Sequence, residues 1–515
     1  MATVANKKFM IDAGERPELA AAAADILALF GAGASTEKDA TGLQGVIALT
    51  VREEFRRIMV AIELHLCVEG EHCGPGKFHK ELSDCLSYGE TPLAAAVRLV
   101  KLGLFSLLAE MLGAMPSPWG ILRGVRPTKL AHRLLNAGVS PDKLPDLLAE
   151  RYAVTLAKAK LLAEIALRQK PFLAALNKER DVHIYVGIPY CPSRCWYCSF
   201  PAYPLPASEA EINRFFAALE RDIEGAARQI AVLGWTVASI YVGGGTPTSL
   251  PARLFSRLLE LLAQVLRQSG TKTIAAPEFT VEAGRPDSMD AAKIAAIRDW
   301  EVTRVSINPQ TMLPETLRRI GRKHTVEDVK AVFAELRRLR KFIVNMDVIA
   351  GLPGETPDAM AATMAEIAEL GPDNLTVHAL TVKRGSMLWE EREGMNAAAR
   401  ETIAEQLKIA DSVARDMGML PYYLYRQKNS PGNLENVGYA LPGKECLYNM
   451  VMIAEANRII GIGPAAATKT VFAGGRLKSL YFPRNVETYI DNIDSYLEKR
   501  YNMLASSFVP GEDKV

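Results

Sequence analysis

Cys191, Cys195 and Cys198 fall within eight residues of the stretch "IPYCPSRCWYCSF", in a chain with 7 cysteines in all. Thiols this close, with no secretory pattern ahead of them, point to a metal or to catalysis before disulfides. The spacing is Cys-x3-Cys-x2-Cys. A structural zinc site wants four ligands in a closed tetrahedron. No fourth cysteine or histidine stands here at motif spacing. Three thiolates on one tight loop can instead hold three irons of a [4Fe–4S] cube, leaving the fourth iron open. Electron-transfer clusters mostly use four cysteines, so an open corner signals chemistry at the cluster.

Further polar residues recur downstream. "GGGTPT" (243–248) is a glycine strip that lets backbone approach a ligand closely. Glu282 lies in "VEAGRP", Gln310 in "SINPQT" and Asp347 in "NMDVIAGLPGE". Taken singly, such residues are more often structural hydrogen-bonders. Here they fall at or near the ends of successive strand-like runs.

Those runs are "VHIYVGI" (182–188), "VASIYV" (237–242), "FTVEA" (279–283), "VTRVSIN" (302–308), "IVNMDVIA" (343–350) and "NLTVHAL" (374–380). Amphipathic helical patterns lie between them, including Glu209–Leu233, Ala252–Gln268 and Pro357–Leu370. Alternating strands and helices predict βαβ units and a parallel sheet. Six units are fewer than the eight of a closed barrel, so the fold class is α/β, a partial (β/α)6 barrel. The cysteine loop follows the first strand, on the face where such folds place their sites. The predicted divisions are an N-terminal α/β region (1–117), a helical connector (118–178), the barrel (179–380) and a smaller C-terminal cover (381–515).

The cysteine loop resembles the signature of radical S-adenosylmethionine (SAM) enzymes. In that family SAM chelates the open iron, and an electron from the reduced cluster yields an adenosyl radical. "YVGIPYC", "GGGTPT" and "NMDVIAGLPGE" resemble the oxygen-independent coproporphyrinogen III oxidase group. "PWGILRGVRPTKLAHRLL", "FTVEAGRPDS", "PYYLYRQKN", "LENVGYALPGKE" and "IIGIGPAAATK" are similar to strings of its HemZ-type branch. The resemblance implies Cys191, Cys195 and Cys198 as cluster ligands. It implies Tyr185, Tyr197, Gly244, Gly245, Thr246, Glu282, Gln310, Arg322, Asp347 and Ala467 as SAM contacts. In this group two SAM molecules can be bound.

The implied reaction is oxidative decarboxylation of coproporphyrinogen III to protoporphyrinogen IX in haem biosynthesis. The implied electron source is a reduced flavodoxin- or ferredoxin-like donor. A tetracarboxylate macrocycle needs cations and aromatic faces. Arg384, Tyr423 and Arg426 are the candidate substrate contacts, with Lys383, Tyr422, Tyr425 and Lys428 nearby in sequence. Two positions depart from the oxidase branch. Phe200 stands where it has a fourth cysteine, and Gly187 where it has a histidine. There the loop is closer to the haem-chaperone branch, so haem delivery on the same scaffold is the second reading. A different tetrapyrrole reaction is the third.

Lys and Arg number 61 against 59 Asp and Glu, which gives no polybasic footprint for nucleic acid. The N-terminus shows no apolar signal core. The stretches Leu19–Phe30 and Leu99–Met115 are broken by Asp25, Lys101 and Glu110, short of the ~18 apolar residues of a span. A cytoplasmic protein without membrane insertion is the expectation. A second thiol- and imidazole-rich stretch, Glu63–Cys85, holds three cysteines and three histidines. A zinc or haem site is one reading of it; ordinary surface residues are the favoured one. There Ile58, Val60, Ile62, Leu64 and Leu66 are expected on one strand face, with Glu63, His65 and Cys67 on the other. Cys446 reads as a buried thiol.

Overall fold

The computed structural model describes residues 7–35, 43–54, 56–66, 77–113, 115–200, 203–269, 277–383, 385–390, 400–427, 434–472 and 477–506. The chain forms two compact units, Met1–Leu167 and Arg168–Val515. The expected connector does not stand apart. Its helices Thr128–Asn136 and Leu144–Tyr152 fall in the first unit, and the boundary lies inside the helix Leu156–Ala175.

The first unit carries a five-stranded sheet of β1 (Lys8–Asp12), β2 (Gly33–Ser35), β3 (Leu43–Glu54), β4 (Arg57–Leu66) and β5 (Lys77–Cys85), in the order β2-β1-β3-β4-β5. Alternation along β4 buries Ile58, Val60, Ile62 and Leu64 and leaves Met59, Ala61, Glu63 and His65 half-buried. The helix Pro92–Leu112 packs on the buried face. Thr91 caps it, its hydroxyl accepting from Ala94 N at 3.2 Å, and Gly113 ends it at φ +61°. Leu99, Val100, Leu104 and Leu108 are buried. Gly103 lets the helix approach Ile62 and Leu82 closely; a β-carbon there would stand 2.7 Å from Ile62. The helix starts seven residues before the stretch read from sequence. By length and composition it is therefore apolar enough to cross a membrane.

Among the described residues the second unit is built on one sheet of eleven strands. Six parallel strands form its centre: β6 (Asp181–Ile188), β9 (Thr236–Gly244), β10 (Glu278–Glu282), β11 (Arg304–Gln310), β12 (Ile343–Ala350) and β13 (Asn374–Ala379). Two short strands, β7 (Tyr190–Cys191) and β8 (Tyr203–Pro204), pair beside the cysteine loop. Buried β-branched and aliphatic runs make the central strands, as a sheet covered on both faces requires. Capped amphipathic helices connect them. Ser208 caps Glu209–Val232, Asp290 caps Ala291–Asp299, Thr356 caps Pro357–Leu370, and Thr325 with Asp328 forms a capping box on Val326–Arg338.

The expected C-terminal cover is instead part of this sheet. β15 (Glu435–Ala440) pairs antiparallel with β13, and β14 (Leu420–Arg426) with β15. At the other end β16 (Arg458–Ile462) lies parallel to β6, followed by β17 (Ala467–Val471) and β18 (Leu477–Tyr481). Both edges of the parallel set thus gain partners for their backbone groups. The C-terminal helix Ile493–Ala505 sends Arg500 into the core. Its guanidinium donates to Asp222 Oδ1 at 2.7 Å and to Gly461 O at 3.0 Å, and both charged side chains are fully buried. Asp222 Oδ2 accepts from Gly463 N and Tyr489 OH, each at 2.9 Å. This network fixes the turn after β16.

Candidate functional site

Period-two alternation puts one residue set on a single face of the sheet. Tyr185, Tyr241, Glu282, Asn308, Asn345, Asp347, Thr376, His378, Tyr423 and Tyr425 all line one cavity of 580 Å³. The register sets their spacing: Tyr185 is opposite Tyr241, and Asp347 opposite Thr376. Cys191, Cys195, Cys198 and Phe200 line the same cavity. Every residue proposed from sequence as a SAM contact lines it with them: Tyr185, Tyr197, Gly244, Gly245, Thr246, Glu282, Gln310, Arg322, Asp347 and Ala467.

The cysteine loop is pinned from several sides. Trp196 N donates to Ile320 O at 3.1 Å, Cys198 N to Cys195 O at 3.1 Å, and Ser193 Oγ to Gly321 O at 3.1 Å. The Cys191 thiol lies 3.3 Å from the Thr246 hydroxyl. Burial pushes the Cys191 thiol up to about 11, opposed by the Thr246 hydroxyl, and raises Cys198 as well. A metal must therefore displace those protons to bind.

The glycine strip runs against the loop. Gly245 N donates to Ile188 O and Thr246 N to Tyr190 O, both at 2.7 Å. Gly244 sits at φ +103°, and a β-carbon on Gly245 would lie 2.6 Å from Tyr190 O. Only glycine fits this cradle. Gln310 adopts φ +70°, a left-handed conformation rare outside glycine. Its Oε1 is buried and meets no hydrogen-bond partner among the described residues. A strained residue with an orphaned acceptor in a cavity signals a ligand contact.

Arg322 donates to Gly284 O at 3.0 Å, Asn308 O at 2.5 Å and Tyr197 OH at 3.1 Å. It thereby ties the strand ends to the loop. Burial pushes the Glu282 carboxyl up to about 7. The Tyr241 hydroxyl, 2.5 Å away, opposes that shift and Asp347 adds to it. Asp347 accepts from Asn345 Nδ2 at 2.8 Å, and its other oxygen is 3.5 Å from His378 Nε2. His378 Nδ1 lies 3.2 Å from Tyr425 OH.

Tyrosines crowd the same cavity. Tyr185, Tyr241 and Tyr448 stack with ring centroids 6.3, 6.1 and 4.7 Å apart, and Tyr423 stacks on Tyr425 at 6.4 Å. Gly438 makes room for Tyr423. A side chain at that position would collide with its ring, whose hydroxyl donates to Thr376 Oγ1 at 3.2 Å.

The candidate substrate residues divide. Tyr423 lines the cavity. Arg426 does not: one strand step of odd parity puts it with Tyr422 and Leu424 on the other face, buried and opposite Glu435. Arg384 and Lys428 lie outside the described residues, whereas Lys383 lines the cavity. Tyr241, Tyr448, His378, Asn345 and Arg285 were missed from sequence. The β-run periodicity carries a signal for Tyr241, Asn345 and His378. Tyr448 comes from the remote helix Leu447–Ala454 and carries none.

In the first unit, the described part of the second thiol- and imidazole-rich stretch forms pairs. His65 lies 3.4 Å from Glu63, and His79 lies 3.8 Å from Glu63 and 3.3 Å from Glu81. Cys67, His72 and Cys73 lie outside the described residues. Cys446 is buried and donates to Glu278 Oε1 at 3.1 Å.

The chain is similar to several known proteins. Residues 185–367 match the radical SAM superfamily. The oxygen-independent coproporphyrinogen-III oxidase-like protein HemZ of Bacillus subtilis is 37% identical over 76% of this chain and 77% of its own length. The heme chaperone HemW of Bacillus subtilis is 27% identical over 56% of this chain and 73% of its own. The solved structure of the Escherichia coli coproporphyrinogen III oxidase HemN aligns with a TM-score of 0.49 and 22% identity, over 64% of this chain and 72% of that one. The chain belongs to the radical SAM superfamily, and within it to the group that contains HemZ. Family membership implies a [4Fe–4S] cluster and SAM. The three-thiol loop, the glycine cradle and the orphaned Gln310 acceptor fit both groups.

Proposed function

We propose that this protein is an oxygen-independent coproporphyrinogen III dehydrogenase of haem biosynthesis, converting two propionates of its substrate to vinyls. One observation carries the reading. A single cavity of 580 Å³ joins the three-thiol loop and the glycine cradle to five tyrosines, whose faces suit the pyrroles of a flexible macrocycle. The similarity to HemZ supports it.

Cys191, Cys195 and Cys198 would hold the cluster. Gly244, Gly245 and Thr246 would face SAM with their backbone, and Gln310 Oε1 would accept one of its donors. Tyr185, Tyr197, Glu282, Arg322, Asp347 and Ala467 complete that set. When bound, the two groups would supply removal of a hydrogen atom from the propionate carbon attached to the pyrrole ring. Each propionate overall loses carbon dioxide, that hydrogen atom and one further electron, which passes to an external acceptor. The chain's own residues orient and shield the substrate. The tyrosines would pack against pyrroles, and Lys383 would offer an ammonium to a carboxylate. A low-potential flavodoxin- or ferredoxin-like protein is the proposed donor. Whether one or two SAM molecules bind is set by equilibrium titration of the reconstituted protein.

Phe200 favours a second reading, haem delivery. It stands 60% exposed at the cavity mouth, an apolar plate where the oxidase branch has a cysteine. An anaerobic assay separates the two. Reconstituted protein receives dithionite, SAM and coproporphyrinogen III. Vinyl products with 5′-deoxyadenosine establish the dehydrogenase. Cleaved SAM without decarboxylated porphyrin sinks it, and stoichiometric haem binding without turnover establishes delivery.

A further inference from the structure

The second half of "VEAGRPDS" plays no part in the roles above, yet it reaches the cysteine loop. Arg285 is 2% exposed. Its Nη1 points at Cys195 Sγ at 3.6 Å and at Ser193 O at 3.2 Å, and its Nη2 donates to Ser193 Oγ at 2.9 Å. Cys195 is the one buried thiol of the three. The guanidinium is held from behind by Asp287, which accepts from Nε at 3.0 Å and Nη2 at 2.9 Å. His324, with a buried side chain, stands 3.7 Å from the same carboxylate. A planar fork gripped at two oxygens cannot swing away. Its remaining N–H groups are therefore fixed on the loop.

Hydrogen bonds to ligand sulfurs and nearby charge set the potential of an iron–sulfur cluster. Reduction adds one electron, so a fixed cation at a ligand sulfur stabilises the reduced form. A carboxylate just behind that cation tempers the effect. We propose that Arg285 and Asp287 form an opposed pair that tunes the cluster's reduction potential through Cys195, the arginine raising it and the aspartate lowering it. This rests on the assignment of Cys195 as a cluster ligand. In this role Arg285 and Asp287 act through Cys195; they are positioning residues.

The experiment is an anaerobic redox titration of reconstituted protein without SAM, followed by the electron paramagnetic resonance of the reduced cluster. Iron and sulfide contents are measured alongside. Arg285→Met is expected to keep its iron and shift the midpoint to more negative potential. Asp287→Asn is expected to keep its iron and shift the midpoint the opposite way. Arg285→Lys, which keeps the charge without the fork, is expected between wild type and Arg285→Met. Unchanged midpoints in iron-replete Arg285→Met and Asp287→Asn overturn the proposal while leaving the ligand assignment intact. Shifts of the same sign in both variants overturn it as well. If Arg285→Met fails to load, Asp287→Asn decides: a positive shift supports the pair, no shift ends it. Failure of the wild-type chain to bind any cluster overturns the underlying ligand assignment instead.

Discussion

The loop Cys191–Cys198 and the hairpin face built by Glu63, His65 and His79 draw on the same kinds of residue. Both offer soft or borderline ligands within a few ångströms of carboxylates or hydroxyls. The loop is bound to its surroundings by backbone from Ile320 and Gly321, by Arg285 and by the Thr246 hydroxyl. Its thiols line a cavity that also holds an unsatisfied acceptor. The hairpin face is a regular antiparallel ladder, with Glu63 opposite His79. Its imidazoles are about a third to nearly half exposed and already paired with Glu63 and Glu81. Residue type nominates a site; a shared cavity and unmet bonding need make one.

The largest test of that contrast is at the thiols. Cys198→Ala is expected to abolish iron loading and SAM cleavage, read by iron content and 5′-deoxyadenosine. The triple change His65→Ala, His79→Ala and Cys85→Ala is expected to leave both unchanged. Iron lost equally in both would erase the distinction. Next comes the buried pair behind the cavity wall. Arg500→Met leaves Asp222 in the core without its counter-charge and is expected to cost about 3–5 kcal/mol in chemical denaturation. Glu63→Gln on the hairpin face is expected to cost less than about 1 kcal/mol in the same experiment.

Gly245→Ala pushes the strip off Tyr190 O. It is expected to weaken SAM binding about tenfold to a hundredfold by equilibrium titration; unchanged affinity would place SAM elsewhere. The smallest effect is a pH signature. The folded pKa of Glu282 is raised from its ordinary 4.5 to about 7. Between those values the folded protein holds the extra proton, so this group lets stability fall as pH rises through that window and then level off. In Glu282→Gln that part of the slope is expected to vanish from thermal melts run from pH 5 to 8. A persisting slope would assign it to other groups.

The central sheet was readable because its strands are short, β-branched and regularly spaced. The runs 343–350 and 374–380 match β12 and β13 within a residue. Glu282 and Gln310 stand out in the sequence because each is polar at the end of its strand, and Asp347 because it interrupts an apolar one. Other features left no local trace. β16 joins β6 across the whole barrel sequence, a pairing that no window of residues encodes. Arg426 was misplaced because a cation in an aromatic run looks like a ligand, whereas strand parity decides which face it takes. Tyr448 reaches the cavity through tertiary packing alone.

The position of β16 also bears on how the protein is made. The strand nearest the cysteine loop has one neighbour, β9, until Arg458–Ile462 has left the ribosome. Long-range pairing of that kind forms late and slowly. Ala465 and Ala467, on the cavity wall, arrive later still, and Pro483 O must accept from Ala465 N to fix their turn. The cofactor chamber thus has a wall that is hung last. Nascent chains arrested before residue 450 should expose the Cys191–Cys198 loop to protease, and released full-length chains should protect it; equal protection in both would mean the chamber closes without its final strand.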